Sequence, residues 1–273
     1  MPARVLEHWQ LSAGPLAAAL VAAALYVGAA WRTRWPGLRT ATFLAGLAAL
    51  LVALESGADA YADRLLSAHM VQHLLIAMVA APLLVAGLPL TLALRALDPR
   101  PRSRLLRLLR SRLARTLVLP PVAWSLFAAV MLGSHLTPLY SLALRHDTLH
   151  ALEHALYLGS AVLFWTPVLD ANPVPAHRLG AVGRVAYLLL AMPVMAFVGA
   201  VLQSSDHVLY ADYLAPARAL GVSALSDQHD AGALMWVGGK LVMAALLLLS
   251  VWLALEREER RQRARERAQG TAA

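Results

Sequence analysis

Cysteine is missing from this chain of 273 residues, and charged residues are scarce. Without cysteine there is no disulfide, no thiolate metal ligand and no thiol redox chemistry, so a bound metal must use nitrogen, oxygen or thioether sulfur. Charged residues make up 15% of the chain, against 59% hydrophobic residues and a mean hydropathy of +0.59. A soluble globular protein does not need so apolar a composition, which therefore indicates a membrane protein.

The few charges that are present give a formal net charge of +8. In a soluble protein this excess would suggest a nucleic-acid partner. Here the arginines occupy short stretches between long apolar runs, which is typical of the loops of a membrane protein. We therefore predict contact with a lipid bilayer and no nucleic-acid partner.

Seven segments are apolar enough to cross the membrane as helices, which requires about 20 residues for about 30 Å of hydrocarbon. They are residues 13–31, 39–56, 67–93, 116–135, 148–168, 184–203 and 230–254. The predicted fold is an all-α, polytopic integral membrane protein, a bundle of about seven transmembrane helices over residues 1–256. A charged cytoplasmic tail follows over residues 257–273, and its spacing of acids and arginines predicts that the last helix continues into it.

The arginines also predict the orientation, because Lys and Arg mark cytoplasmic loops. They cluster after the first, third, fifth and seventh segments, whereas acids prevail in the other loops. This pattern predicts an N-terminus outside and a C-terminus in the cytoplasm, with the chain crossing the membrane several times. Residues 95–115 are arginine-rich and amphipathic, which suits anchoring at the anionic inner leaflet.

Histidines are distributed unevenly in this topology. Only His177 falls on the cytoplasmic side; the others lie outside or in the outer ends of helices, namely His8, His69, His73, His135, His146, His150, His154, His207 and His229. A loop preference does not account for this, since His73 and His154 should lie inside helices. A polar group at that depth needs a partner.

Their spacing places several of these histidines on shared helix faces, because residues three and four apart are neighbours on a helix. The third helix carries His69, Gln72 and His73, and the fifth carries a stripe of His146, His150 and His154 with Glu153 beside it. The fourth ends with Met131 and His135, and the seventh begins near Asp227 and His229. These helix ends should meet at one level and form a metal site on the outer side.

Imidazole with nearby thioether and no thiolate suits copper best, with zinc or iron also possible. The segment His150-x-x-Glu153-His154 also fits an inverted zinc-protease motif, in which the glutamate activates water. A third interpretation is haem held between facing helices, for example by His73 and His154. Lys240 lies about 15 Å deep at 1.5 Å per residue, so it is either a functional charge or a lysine solvated by water and carbonyls.

Four motifs together resemble the CtaG family of cytochrome c oxidase assembly proteins, the integral membrane group associated with caa3-type oxidases. They are His69-Met70-x-Gln72-His73 with Pro82, His135-x-x-Pro138-x-Tyr140, His150-x-x-Glu153-His154 with Phe164-Trp165-x-Pro167-Val168, and Asp227-Gln228 with Gly232-x-x-Met235-Trp236. His229 and Lys240 lie outside this pattern.

The resemblance implies a non-enzymatic factor that supplies or inserts copper during maturation of a haem-copper oxidase. Such a factor would span the inner (plasma) membrane of a bacterial cell, and its partners would be an oxidase subunit and a periplasmic copper carrier. By matching position, the implied metal-site residues are His69, His73, His135, His150, Glu153, His154 and Asp227.

Overall fold

A computed structural model describes residues 9, 12–174 and 179–270, with the side chains of 246 and 249–270 left out. Its α-helices are α1 (Ala13–Thr33), α2 (Gly37–Glu55), α3 (Gly57–Ala60), α4 (Leu66–Leu74), α5 (Ala81–Ala86), α6 (Pro89–Ala96), α7 (Pro99–Leu109), α8 (Arg112–Leu117), α9 (Pro120–Leu136), α10 (Leu139–Arg145), α11 (Asp147–Val168), α12 (Ala181–Ser204), α13 (Leu214–Ala219) and α14 (Ala224–Gly270). Leu75–Ala80 is a π-helix and Ala211–Tyr213 a 3₁₀ turn. Over the described residues the fold is all-helical, as predicted. His8 and His177 lie outside them.

Several helical stretches are long and apolar enough to cross a membrane. Within the described ranges these are Ala13–Thr33, Gly37–Ala60, Leu66–Ala96 and Ala181–Ser204, and a fifth if the bent pair Pro120–Leu136 and Leu139–Arg145 forms one span. The structure thus supports four or five membrane-spanning helices. Seven spans and the orientation of the termini stay predictions.

Two further predicted spans, residues 148–168 and 230–254, lie in α11 and α14, which are not among these apolar stretches. Helix α11 is 22 residues long, but its first turns carry Asp147, His150, Glu153 and His154, which lower its hydropathy. Helix α14 is continuous over 47 residues, so the predicted continuation of the last helix into the charged tail is confirmed.

The candidate spans expose apolar side chains, which is the reverse of a soluble fold. Leu25 of α1 and Leu190 of α12 are 71% and 64% exposed, and only 17% of the apolar window of α1 is buried. Contiguous exposed apolar surface of this kind marks contact with membrane or protein. The exposed leucines are therefore consistent with lipid-facing helix surfaces.

The chain from α4 to α6 is not one regular helix. A π-helix, in which each turn is wider than in an α-helix, separates α4 from α5. Such segments are rare in proteins, and those that occur often lie at functional sites. The indole N–H of buried Trp165, on α11, donates to the carbonyl oxygen of Ala77 within it at 2.8 Å. Leu88 then adopts a left-handed conformation at φ 55°, which ends α5 before α6 begins.

Helices α12 and α14 cross at two glycines. A Cβ atom added to Gly199 would lie 2.7 Å from the carbonyl oxygen of Gly232, and one added to Gly232 would lie 2.7 Å from that of Gly199. Small residues allow such close backbone approach in membrane helices. Gly232 of the Gly232-x-x-Met235-Trp236 motif therefore serves helix packing, and the crossing fixes the start of α14 near the histidines.

Candidate metal centre

Three helices bring five histidines together. Helix α4 supplies His69 and His73, α9 supplies His135 near its end, and α11 supplies His150 and His154. The spacing of four residues places each pair on one helix face. The sequence predicted that the ends of the third, fourth and fifth apolar segments meet. These ends lie in α4, α9 and α11, and the structure brings them together.

The tightest part of the cluster consists of His69, His73 and Glu153. The Nε2 atoms of the two histidines lie 3.0 Å apart, and Oε2 of Glu153 lies 4.0 Å from Nε2 of His69. One ligand atom from each of the three residues falls within 4.8 Å of the others. His69 and His73 are 0% and 1% exposed. Small shifts of these side chains would let one ion contact all three.

The other histidines surround this group. The ring centroid of His150 lies 5.3 Å from that of His69, and the centroid of His154 lies 5.8 Å from that of His73. His150 and His154 are themselves 4.3 Å apart, centroid to centroid. The ring centroid of His135 lies 5.9 Å from that of His73. The five imidazoles therefore form one contiguous cluster.

Many polar atoms of the cluster are buried without a hydrogen-bond partner. They are Nδ1 of His73, Nε2 of His150, Nε2 of His154 and both carboxylate oxygens of Glu153. A buried polar group without a partner costs about 1–3 kcal/mol, and more if it is charged. The unpaired oxygens of Glu153, together with the facing Nε2 atoms of His69 and His73, are electron-pair donors that a bound cation would satisfy, so these three residues fit a metal ion.

Tyr213 sets the orientation of His69. Its hydroxyl donates to the carbonyl oxygen of Ala62 at 2.9 Å and lies 3.3 Å from Nδ1 of His69. Burial raises the pKa of Tyr213 well above its ordinary value, so the hydroxyl keeps its hydrogen. With that hydrogen used, the oxygen accepts from Nδ1–H of His69, which leaves a lone pair on Nε2 facing His73. Such outer hydrogen bonds commonly orient metal-binding histidines.

The sequence analysis did not predict two tyrosines of the site, Tyr157 and Tyr213. Tyr157 stacks on His73 with centroids 3.9 Å apart, and its hydroxyl lies 3.1 Å from Nδ1 of His135. Tyr157 stands four residues after Glu153 on α11, so helical spacing would have found it. Tyr213 follows a loop and lies 144 residues from His69 in the chain; no local pattern connects them.

Asp227 is placed apart from the tight group. Its carboxylate accepts hydrogen bonds from the amide of Ser67, at 3.3 Å, and from the Ser67 hydroxyl, and so attaches α14 to the start of α4. Its neighbour Gln228 accepts from the amide of Leu209 and donates to the carbonyl of Leu202, which holds the preceding loop. In the described residues the Asp227-Gln228 motif thus joins elements, while its part in metal binding stays a prediction.

The remaining polar residues singled out by sequence have other partners. Nε2 of His229 lies 3.1 Å from the carbonyl oxygen of Ser205. The ammonium of Lys240 lies 4.4 Å from the centre of the Trp236 ring, a cation–π contact that gives this lysine a partner. His146 precedes α11 in extended conformation and is exposed. The predicted stripe of three histidines therefore contains only His150 and His154, because the helix starts at Asp147.

The two sides of the cluster differ in polarity. A cavity of about 640 Å³ between α1, α2 and α11 reaches His154, and its other lining residues are apolar. Near His150 stand the exposed acids Asp63 and Asp147, close enough to act on it electrostatically. A hydrated cation would thus meet favourable charge beside His150 and apolar walls beside His154.

Comparison with known proteins identifies the class to which this fold and cluster belong. The sequence pattern of the family described as cytochrome c oxidase caa3 assembly factor (Caa3_CtaG) matches residues 23–257. The chain therefore belongs to this family, and the resemblance inferred from its motifs is confirmed.

Relatives occur in mycobacteria. The chain is 34% identical over 279 aligned residues to uncharacterized proteins of Mycobacterium bovis and Mycobacterium tuberculosis, covering 97% of this chain and 42% of each relative. It is 29% identical over 264 residues to an uncharacterized protein of Mycobacterium leprae, covering 91% of this chain and 40% of that protein. The chain thus spans less than half the length of these relatives. No solved structure matches it.

Proposed function

We propose that this protein takes part in the assembly of a caa3-type cytochrome c oxidase by binding a copper ion at the histidine cluster and passing it to the oxidase. Family membership supports the assembly role. The observation that supports metal binding is the convergence of His69, His73 and Glu153, with further buried nitrogen atoms that lack partners. Copper is favoured because the donors are imidazoles with thioethers nearby and no thiolate.

The proposed role is non-enzymatic. Copper would be received from a periplasmic carrier on the outer side of the inner membrane, beside the acids near His150. It would leave by ligand exchange when an oxidase subunit docks. The crowding of His150 and His154 by His69 and His73 favours this role over proteolysis, because a hydrolase needs an open coordination position that additional histidines tend to fill.

The test uses the full chain purified in mild detergent, loaded with copper and examined by elemental analysis and absorption spectroscopy. We expect bound copper and no Soret band. Oxidase copper content and activity are measured in cells that carry the double variant His69→Ala/His73→Ala, which removes two nitrogen ligands. Loss of both bound copper and oxidase copper is the expected result.

The matched control is His146→Ala/His207→Ala, which removes two exposed histidines outside the cluster. It should keep the copper content of the unchanged protein. Normal oxidase copper in the His69→Ala/His73→Ala cells would contradict the proposal, and so would purified protein that binds haem or zinc but no copper.

A further inference from the structure

His135 has surroundings unlike those of the other imidazoles. Its Nε2 atom lies 3.2 Å from the thioether sulfur of Met70, which stands on the facing helix α4. Its other nitrogen, Nδ1, lies 2.9 Å from the carbonyl oxygen of Met131. His135 and Met70 are 5% and 0% exposed, so this direct contact is closed to bulk solvent. Nitrogen and sulfur meet here in a closed space.

The hydrogen on the His135 ring belongs on Nδ1. A carbonyl oxygen can only accept, so the 2.9 Å contact with Met131 requires Nδ1–H as donor. The Tyr157 hydroxyl near the same nitrogen has another acceptor in Oγ of Ser134, at 2.7 Å. A neutral imidazole with hydrogen on Nδ1 carries a lone pair on Nε2, and that lone pair faces Met70.

The thioether of Met70 has no hydrogen to offer. Nε2 of His135 and Sδ of Met70 are therefore two electron-pair donors 3.2 Å apart, with no proton between them. Ligand bonds of about 2.0 Å from nitrogen and about 2.3 Å from sulfur together exceed this separation. One ion could thus contact both atoms without moving either helix.

We propose that His135 and Met70 form a soft metal position that binds monovalent copper, beside the harder position of His69, His73 and Glu153. Thioether and imidazole select Cu(I), whereas carboxylate favours harder ions. The two positions are neighbours, since the ring of His73 lies 5.9 Å from that of His135, centroid to centroid. This inference rests on the proposed function and adds the oxidation state of the cargo and a sulfur ligand.

The test is an anaerobic titration of the full-length protein with Cu(I) in competition with bicinchoninate, followed by X-ray absorption at the copper edge. The unchanged protein should show sulfur among the copper ligands. Met70→Leu keeps an apolar side chain of similar volume but removes the sulfur. It should lose the sulfur signal and bind Cu(I) about tenfold more weakly or worse, while Zn(II) binding stays unchanged.

The matched control is Met78→Leu, at a methionine that is 1% exposed in the neighbouring π-helix. It should bind Cu(I) like the unchanged protein. Copper bound without any sulfur ligand in the unchanged protein would overturn this inference and leave the histidine cluster standing, a result that does not depend on the folding of any variant. If neither Cu(I) nor Cu(II) binds at all, both proposals fail.

Discussion

His69 and His73 face each other through their Nε2 atoms, and what lies behind each ring decides how well it can bind a metal. Behind His69 stands Tyr213, whose hydroxyl is fixed by the carbonyl of Ala62. Behind His73, Nδ1 has no partner in the described structure, and its ring is held by stacking on Tyr157. The two imidazoles are therefore positioned by different means, one by a hydrogen bond and one by an aromatic face.

Replacing Tyr213 by Phe should weaken metal binding without removing a ligand. The variant loses the acceptor for Nδ1–H of His69, so the ring can turn and its other tautomer becomes accessible. Changes in such outer hydrogen bonds commonly lower metal affinity by about 10–100-fold. A competition titration with copper measures the effect.

Tyr187→Phe is the control, since this buried hydroxyl donates to the carbonyl of Phe164, away from the histidines. It should cost stability of about 1 kcal/mol and leave the metal affinity unchanged. Equal metal affinity in the Tyr213→Phe and Tyr187→Phe variants would show that Tyr213 does not position His69.

At this scale the sequence predicted most of the cluster, because helical spacing determines which side chains share a face. His69 with His73 and His150 with His154 followed from that rule alone. It misplaced His146, since spacing does not show where a helix begins. The orientation of His69 could not be predicted, because Tyr213 reaches it through tertiary packing.

The π-helix lies within the candidate span Leu66–Ala96, directly after the helix α4 that carries His69 and His73. A wide turn leaves backbone carbonyls less well paired, and Trp165 supplies a donor to one of them, Ala77. This explains in physical terms why a tryptophan stands in the Phe164-Trp165-x-Pro167 motif. The apolar run of residues 67–93 predicted a helix, but hydrophobicity alone does not distinguish a π-turn from an α-turn.

Trp165→Phe should lower the free energy of unfolding by about 1–3 kcal/mol, because the Ala77 carbonyl is left buried and unpaired. Denaturation by increasing dodecyl sulfate, followed by circular dichroism, gives this value. The loss should come with a smaller shift in copper affinity than that of the His69→Ala/His73→Ala variant.

Trp124→Phe is the matched control, because it makes the same tryptophan-to-phenylalanine change at another site. The indole nitrogen of Trp124 is buried and has no hydrogen-bond partner, so its removal breaks no hydrogen bond. This variant should be as stable as the unchanged protein or more so. If both tryptophan variants lose the same stability, the bond from Trp165 to Ala77 contributes nothing.

For the whole molecule, the predicted topology depends on how often the chain crosses the bilayer between the arginine-rich residues 95–115 and the loop after α12. Three crossings separate Ser103 from Ala211 if α11 spans the membrane, and two if it does not. The absence of native cysteine makes a direct test possible, because a single introduced thiol can be labelled without background.

We expect Ala211→Cys to react with a membrane-impermeant maleimide in intact cells, and Ser103→Cys to react only after the membrane is opened. Both positions are exposed. Labelling of both from the same side would exclude α11 as a span and contradict the predicted orientation. The sequence pattern predicts this span less strongly than the others, because the polar residues of the candidate metal centre lower the hydropathy of α11.

The π-helix has a consequence for how the molecule tolerates change. An extra residue in one turn shifts the angular phase of everything that follows, so the face that carries His69 and His73 does not continue along α5. Substitutions in α5 therefore change a different face of the segment from the one that carries His69 and His73. Removing one residue from Leu75–Ala80 would instead rotate the histidines against the rest of the segment by about 100°, at 3.6 residues per turn. The length of the wide turn therefore decides whether His69 and His73 face the other histidines of the cluster.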